Sequence, residues 1–317
     1  MKVVQVAAAV IERGDEICLA RRPDHLHQGG KWEFPGGKME AGETVLDAIR
    51  RELKEELNLD VAACEPLIQI NHQYPDKAVC LNVVKVNQFA GEPQGMEGQE
   101  VRWVHRQQLQ DFEFPAANVP IVAAAQLPRF YVITPEVEGS VDAFLLNLEN
   151  LVQQGYGFIQ IRTKRIDAQD WACLLAGLER IKARHMALTP SPVQFVLNSA
   201  VNQPLSSVFD GVHLTAAALQ SGQPLPEGVR WVGASCHNAQ DLQKALELGV
   251  DFVTLSALNS TASHPDQPPL GSAMFASLVE QAKLPVFALG GVGVAELNDV
   301  LHLGAQGVAG IRGFWPA

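Results

Sequence analysis

Positive charge is the scarcer sign in this 317-residue chain, with Lys and Arg at 24 against 35 Asp and Glu, giving a formal net charge of −11. That balance argues against a nucleic-acid duplex as the main ligand, because polyanion binding relies on Lys and Arg to displace counterions from phosphate. A small anion held at a metal site is still allowed. Cysteine is scarce and unpaired in pattern: five residues, Cys18, Cys64, Cys80, Cys173 and Cys236, with no CxxC spacing. Reduced thiols fit this better than a disulfide framework or a zinc site, and a cytoplasmic location is the expectation. No apolar run approaches the ~20 residues needed to span a bilayer, so no membrane partner is expected. The first apolar run, Val3 to Ile11, has the look of a signal-peptide core, but Glu12-Arg13-Gly14-Asp15 follows directly and reads as a hairpin turn after a strand. Charged residues at 19% and aromatic ones at 7%, beside 47% hydrophobic content, suit a soluble globular protein with one large or two ordinary cores.

Two domains are expected, residues 1–128 and 129–317. The first mixes strands, one strong helix and several turns. The boundary, near Ala123-Ala124-Ala125-Gln126-Leu127-Pro128, lacks the composition of a long flexible linker, so the domains are expected to sit close together. Beyond it the pattern alternates regularly. Phe130–Thr134, Phe158–Arg162, Val193–Asn198, Gly211–Leu214, Trp231–Ser235, Phe252–Ser256, Val286–Gly290 and Val308–Ile311 read as eight strands. Helical patterns at Asp142–Gln154, Asp167–His185, Ala239–Leu248 and Ala295–Leu303 separate many of them, several ending at a glycine suited to the left-handed C-cap. This is the alternation of a (β/α)8 TIM barrel. The link between the third and fourth strands is weak as a helix. No clear final helix follows the eighth strand, which predicts an open flank needing another surface, either the first domain or a second copy in a homodimer.

In the first domain a helix is expected over about Val45 to Leu57, with Thr44 as N-cap. At the helical period, Val45, Ala48, Ile49, Leu53 and Leu57 form one apolar arc. Glu52 and Glu56 project inside or at the margin of that arc, and Glu55 lies just beyond its edge. Carboxylates four residues apart repel each other, and turning them toward a core adds several kcal/mol of desolvation cost. A hard divalent cation would neutralise them, since carboxylate oxygens suit Mg²⁺ and a diphosphate would supply its remaining ligands. The alternative is a solvated acidic helix paired with Arg50, Arg51 and Lys54.

The spacing bears on this choice. Gly37, five residues, Glu43, seven residues, and then Arg51-Glu52-Leu53-Lys54-Glu55-Glu56-Leu57-Asn58-Leu59 resembles the Nudix box of hydrolases that act on nucleoside diphosphates linked to another group. Asn58 stands where that family has glycine, and Asn is the non-glycine residue that best tolerates a left-handed C-cap. The resemblance implies a mixed-sheet α/β/α sandwich, with Mg²⁺ (or Mn²⁺) held by Glu52, Glu55, Glu56 and the Gly37 carbonyl, Glu52 as general base, and Glu43 with Arg51 as a brace for the loop. Ala20-Arg21-Arg22, Trp32-Glu33-Phe34-Pro35-Gly36-Gly37-Lys38, Gly91-Glu92-Pro93, Glu97-Gly98-Gln99 and Phe114-Pro115-Ala116-Ala117-Asn118-Val119-Pro120 narrow the likeness to the MutT branch, which hydrolyses 8-oxo-dGTP. That likeness implies a nucleoside triphosphate substrate, with Arg22 at its phosphate or sugar end and Phe34 in the base pocket. Glu97 would assist the metal, a part nearby Glu100 could also take, and Asn118 would read the base through its amide donors and acceptors.

In the second domain, Tyr131-Val132-Ile133-Thr134-Pro135, Gln160-Ile161-Arg162-Thr163-Lys164, Gly211-Val212-His213-Leu214, Val232-Gly233-Ala234-Ser235-Cys236-His237 and Ala288-Leu289-Gly290-Gly291-Val292 together resemble thiamine phosphate synthases and the TenI-type thiazole tautomerases. Arg162 and Lys164, at a strand's C-terminal end, and Gly290-Gly291, after the seventh strand, stand where a barrel binds phosphate. A phosphate-bearing ligand is therefore expected. The synthase family's magnesium-binding aspartates have no counterpart in Leu197-Asn198-Ser199-Ala200 or Leu214-Thr215-Ala216-Ala217-Ala218-Leu219, and Ser263-His264 stands where the family has Thr-Lys. His237 matches the TenI-type proton-moving histidine. Three readings follow: an oxidised-nucleotide diphosphatase with a synthase-inactive, phosphate-binding barrel; a thiamine-related protein whose hydrolase acts on a pyrimidine or thiamine diphosphate and whose barrel is a thiazole tautomerase or thiamine phosphate synthase; and a hydrolase whose barrel is a non-catalytic binding module.

Overall fold

The computed structural model describes residues 3–25, 28–73, 78–189, 192–261 and 268–315. Two compact units divide the chain, Met1–Leu127 with Lys283–Pro285 grouped to it, and Pro128–Ala282 with Val286–Ala317.

The first unit begins with β1 (Val3–Arg13), which is apolar at consecutive positions because both of its faces are covered. Ala8 and Val10 enter one core, and Ala7, Ala9 and Ile11 enter the other. Gly14, at φ 62°, turns the chain into β2 (Glu16–Arg21), so that Arg13 lies opposite Glu16 and Ile11 opposite Cys18. The first apolar run is thus half of a hairpin, as its flanking residues predict. There follow β3 (Trp32–Glu33), β4 (Gly36–Lys38), α1 (Val45–Leu57), β5 (Asp60–Gln73), β6 (Ala78–Ala90), β7 (Val101–His105) and α2 (Val119–Gln126). The sheet runs β3-β2-β1-β6-β5, with β4 also on β1 and β7 on β2. β1 and β6 are parallel and the other pairs antiparallel, which makes the sheet mixed. Ala48, Ile49, Leu53 and Leu57 of α1 bury against one face, and Ile121, Ala124 and Ala125 of α2 against the other. The result is an α/β/α sandwich.

The second unit is built from β8 (Phe130–Ile133), α3 (Val141–Gln153), β9 (Phe158–Ile161), α4 (Ala168–Met186), β10 (Gln194–Asn198), β11 (Gly211–Leu214), α5 (Ala216–Ser221), β12 (Trp231–Cys236), α6 (Ala239–Leu248), β13 (Phe252–Leu255), α7 (Gly271–Ala282), β14 (Val286–Ala288), α8 (Leu297–His302) and β15 (Gly307–Gly310). The eight strands are parallel and close on themselves, with Val308 of β15 opposite Phe130 of β8. No helix joins β10 to β11, in line with the weak pattern there. Buried Val208 and Phe209 fill that gap, and Trp171 of α4 stacks on Phe209 at 5.8 Å. The flank after β15 differs from expectation. Phe314 packs on Phe130 at 5.7 Å and on Tyr156 at 5.3 Å, and Trp315 packs on Phe144 at 4.8 Å. A short aromatic turn supplies cover that the sequence pattern assigns to another surface. No helix among the described residues is long and apolar enough to cross a membrane.

Candidate active site

The acidic helix is fixed at both ends. The Thr44 hydroxyl accepts from the Asp47 amide at 3.2 Å while the Asp47 carboxylate accepts from the Thr44 amide at 3.3 Å, a reciprocal cap. At the other end Asn58 takes the left-handed conformation, φ 55° and ψ 35°, that the sequence pattern calls for. Burial of Ala48, Ile49, Leu53 and Leu57 then turns Glu52 and Glu56 toward β4.

Glu52 lies directly over Gly37: a Cβ at that position would come within 2.3 Å of the carboxylate, so any larger residue there would displace the Glu52 side chain. Arg51 donates to Glu52 Oε1 at 2.7 Å, to both Glu43 oxygens at 2.7 and 2.9 Å, and to the Lys38 carbonyl at 3.0 Å. The Arg51 hydrogen bonds, with a further one from the Glu40 amide, hold the Glu43 carboxyl down at about 2. The Glu43–Arg51 brace is therefore formed, and it reaches Glu52 as well. Glu55 points outward, its side chain 62% exposed and 3.6 Å from Arg51.

Glu56 carries the chief electrostatic signature. Its carboxyl is pushed up to about 8, first by burial, against the opposing Gly36 amide hydrogen bond, and further by the charges of Glu33, Glu52 and Glu97. Arg51 pairs with Glu52 and Arg22 with Glu33, but no cation is among the influences on Glu56, and the like charge left there is what a bound dication relieves. The donor set, carboxylates with a backbone carbonyl at Gly37, suits a hard metal. Among the described residues no three carboxylates already form a closed cage, in keeping with the outward Glu55 and the exposed Glu97.

Glu33 is the residue the sequence reading passed over. It stands in a nearly apolar stretch, and burial raises its carboxyl against the pull of Arg22, with which it forms an ion pair. Arg22, expected at the phosphate or sugar end, is thus engaged with this carboxylate. Phe34 is 3% exposed and stacks on Phe114 at 5.4 Å, which places its ring in the core on the α2 face. Asn118 ends a short 3₁₀ turn and precedes α2 without capping it by its side chain.

In the barrel the expected ligand residues stand at the C-terminal ends of the strands. Arg162 is half-buried and Lys164 exposed; the Glu136 carboxylate accepts from the Lys164 amide at 2.7 Å and the Arg165 amide at 3.2 Å. Gly290 and Gly291 have φ 98° and 64°, and added Cβ atoms would meet Ala257 at 2.8 Å and Asn259 at 2.7 Å. Close approach of the chain's own loop thus already requires both glycines. His237 is exposed, with Nδ1 3.0 Å from the Ser256 carbonyl. The Ser256 hydroxyl is 3.2 Å from the same nitrogen; in the tautomer that donates from Nδ1 to the carbonyl, the basic nitrogen is Nε2. Within the barrel, Asn198 donates to Gln160 at 2.8 Å, Gln160 to Tyr131 at 2.9 Å, and Tyr131 meets His213 Nδ1 at 3.3 Å, while His213 Nε2 meets Ser235 at 3.0 Å. Burial holds the His213 imidazole down at about 3, so this chain is neutral throughout. Ser263 and His264 lie outside the described residues.

A three-layer sandwich carrying an acidic metal-type helix, followed by a closed parallel barrel, defines a hydrolase unit joined to a second enzyme fold. A family model described as NUDIX domain matches residues 6–124, and one described as Thiamine monophosphate synthase matches residues 130–314. The 8-oxo-dGTP diphosphatase of Escherichia coli is 37% identical over 124 residues, spanning 39% of this chain and 96% of that protein. A thiamine-phosphate synthase of Fusobacterium nucleatum is 24% identical over 187 residues, spanning 58% of this chain and 88% of that protein. Among solved structures, one from work on MutT of Aliivibrio salmonicida and Vibrio cholerae is 35% identical, with a TM-score of 0.36, over 39% of this chain and 98% of that chain. The chain belongs to the Nudix family through its first unit and to the thiamine monophosphate synthase family through its second. It is an enzyme of the Nudix hydrolase type.

Proposed function

We propose that residues 1–128 hydrolyse a nucleoside triphosphate, 8-oxo-dGTP in particular, to the monophosphate and pyrophosphate, an activity that would keep oxidised nucleotides out of DNA replication. The observation that carries this reading is the seating of Glu52 over Gly37 and of half-buried Glu56 on the Gly36 amide at 3.2 Å, with Glu33 and Glu97 near enough to push the Glu56 carboxyl up. Likeness to relatives named 8-oxo-dGTP diphosphatase supports the choice of substrate. Glu52, Glu55, Glu56, Glu97 and the Gly37 carbonyl would hold Mg²⁺, with Mn²⁺ as a substitute; the bound ion would offset charge developing on the phosphoryl oxygens. Glu52 accepts the proton of the attacking water, whose oxygen bonds to phosphorus as the bond between the α and β phosphates breaks. Arg51 keeps Glu52 aimed at that water, and Asn118 and Arg22 receive the base and the phosphate end. The barrel, residues 129–317, binds a phosphate-bearing ligand at Arg162, Lys164 and the Gly290-Gly291 turn without synthase chemistry, since Asn198 and Thr215 to Ala218 offer no carboxylate to a metal.

A second reading of the barrel rests on His237. With Nδ1 held by the Ser256 carbonyl, Nε2 is left to move a proton, as a thiazole tautomerase would need. The test for both units is one panel of assays on the full chain with Mg²⁺. Pyrophosphate release from 8-oxo-dGTP at a higher kcat/KM than from dGTP or CTP, and higher than that for orthophosphate release from thiamine diphosphate, is the expected result. Preference for thiamine diphosphate would replace the first reading, and isomerisation of a thiazole phosphate lost in His237→Asn would establish the second.

A further inference from the structure

Every α-helix ends with carbonyls that have no partner within the helix. In α1 the last of these are taken by one loop. The Met96 amide donates to the Glu56 carbonyl at 2.9 Å, the Gln94 amide donates to the Leu57 carbonyl at 3.1 Å, and the Gln99 side chain donates through Nε2 to the Glu56 carbonyl at 3.0 Å. Gln99 also faces the other way: its Oε1 accepts from the Glu97 amide at 2.9 Å. One carboxamide therefore joins the backbone of Glu56 to the backbone of Glu97, using its donor for one and its acceptor for the other. The loop is tight around this bridge. A Cβ on Gly95 would lie 1.9 Å from the Gln99 carbonyl, and Gly98 sits at φ 81°.

We infer that Gln99 is a positioning residue of the hydrolase site: its carboxamide locks the loop bearing Glu97 to the last turn of the helix bearing Glu52 and Glu56, so that the two carboxylate sources face one cation as a single unit. The inference rests on the metal-dependent reading above. Glu97 is exposed and has no side-chain anchor among the hydrogen bonds described, so its location depends on the backbone that carries it. That backbone is held at residues 96 and 97 by contacts converging on Glu56. Partners that orient ligands in this indirect way typically change metal affinity by 10–100-fold when removed. A plain helix cap would instead change stability and leave metal affinity alone.

The test uses the full chain and Mn²⁺ alone, followed by electron paramagnetic resonance without nucleotide, on wild type, Gln99→Leu, Glu97→Gln and the double variant. Gln99→Met, close to Gln99 in shape but unable to bridge, serves as the second probe should the leucine variant fold poorly. Gln99→Leu and Gln99→Met are expected to weaken Mn²⁺ binding about tenfold. In the Glu97→Gln background the Gln99 change should add less than about twofold, since its effect passes through Glu97. The Mg²⁺ concentration for half-maximal activity should rise in parallel, with KM for nucleotide little changed. Wild-type Mn²⁺ affinity in both Gln99 variants, or an undiminished effect in the Glu97→Gln background, overturns the inference while leaving the hydrolase reading intact. A wild-type protein that binds no Mn²⁺ overturns the hydrolase reading and this inference with it.

Discussion

The two units place polar groups inside the fold in opposite ways. In the sandwich, Glu56 is half-buried within reach of the charges of Glu33, Glu52 and Glu97 and its proton affinity rises to about 8, so the site is electrostatically incomplete by itself. In the barrel, Asn198, Gln160, Tyr131, His213 and Ser235 are joined in a neutral chain in which each member meets another. The first arrangement stores repulsion that a cation can release; the second satisfies its own donors and acceptors and needs nothing to be stable. Buried polarity alone is therefore a poor sign of catalysis. The sign and the compensation of the charge are what separate a metal site from a braced interior.

Three experiments sharpen that contrast. The largest effect is expected from Glu52→Gln, which keeps shape but removes the proton acceptor and should lower kcat by about 10²–10⁴-fold. The barrel's unfolding transition should not move, and an equal loss of stability in both units would dissolve the contrast. Next is a pair of glycines. A Cβ at Gly307 would lie 1.9 Å from the Arg129 carbonyl, so Gly307→Ala forces backbone to move and should cost about 1–3 kcal/mol in denaturant unfolding. At Gly37 the clash is with the end of the Glu52 side chain, so Gly37→Ala should spare stability and reduce turnover instead. The smallest effect concerns acid. His213 has its folded proton affinity depressed to about 3, below the ordinary 6.5, so the stability it confers is fully present above about pH 6.5. As pH falls from there toward about 3 the unfolded chain takes up a proton the folded one refuses, at a slope approaching about 1.4 kcal/mol per pH unit. Chemical unfolding across that range should show the slope in wild type and a shallower one in His213→Asn; identical slopes would mean that the imidazole is charged inside the barrel.

How much of this was legible in advance follows from what each feature depends on. The acidic helix, its Thr44 and Asn58 caps and the Glu43–Arg51 brace are set by spacing along one short segment, which sequence records directly. The eight strands were legible for a similar reason, because a strand covered on both faces is a continuous apolar run. Glu33 was not, since its influence on Glu56 arises only when the two-residue strand β3 is paired to β2 in the folded sheet; a charged residue between Trp32 and Phe34 was the available signal. The ion pair of Arg22 with Glu33 is likewise tertiary and has no signal along the chain. The packing of Phe314 on Phe130 and of Trp315 on Phe144 after β15 was not legible, because two rings in a turn leave no periodic pattern.

One earlier detail reaches further than its size suggests. Ala7, Ala8 and Ala9 of β1 face alternate cores, Ala7 and Ala9 lying under the acidic helix, and the Ala7 carbonyl would sit 2.2 Å from a Cβ on Gly36. The gap between helix and sheet is thus set by single methyl groups and a missing one. Enlarging Ala7 or Ala9 would lift the helix like a shim under a hinge, so the spacing of the acid groups is tuned from beneath, by residues that never meet a substrate.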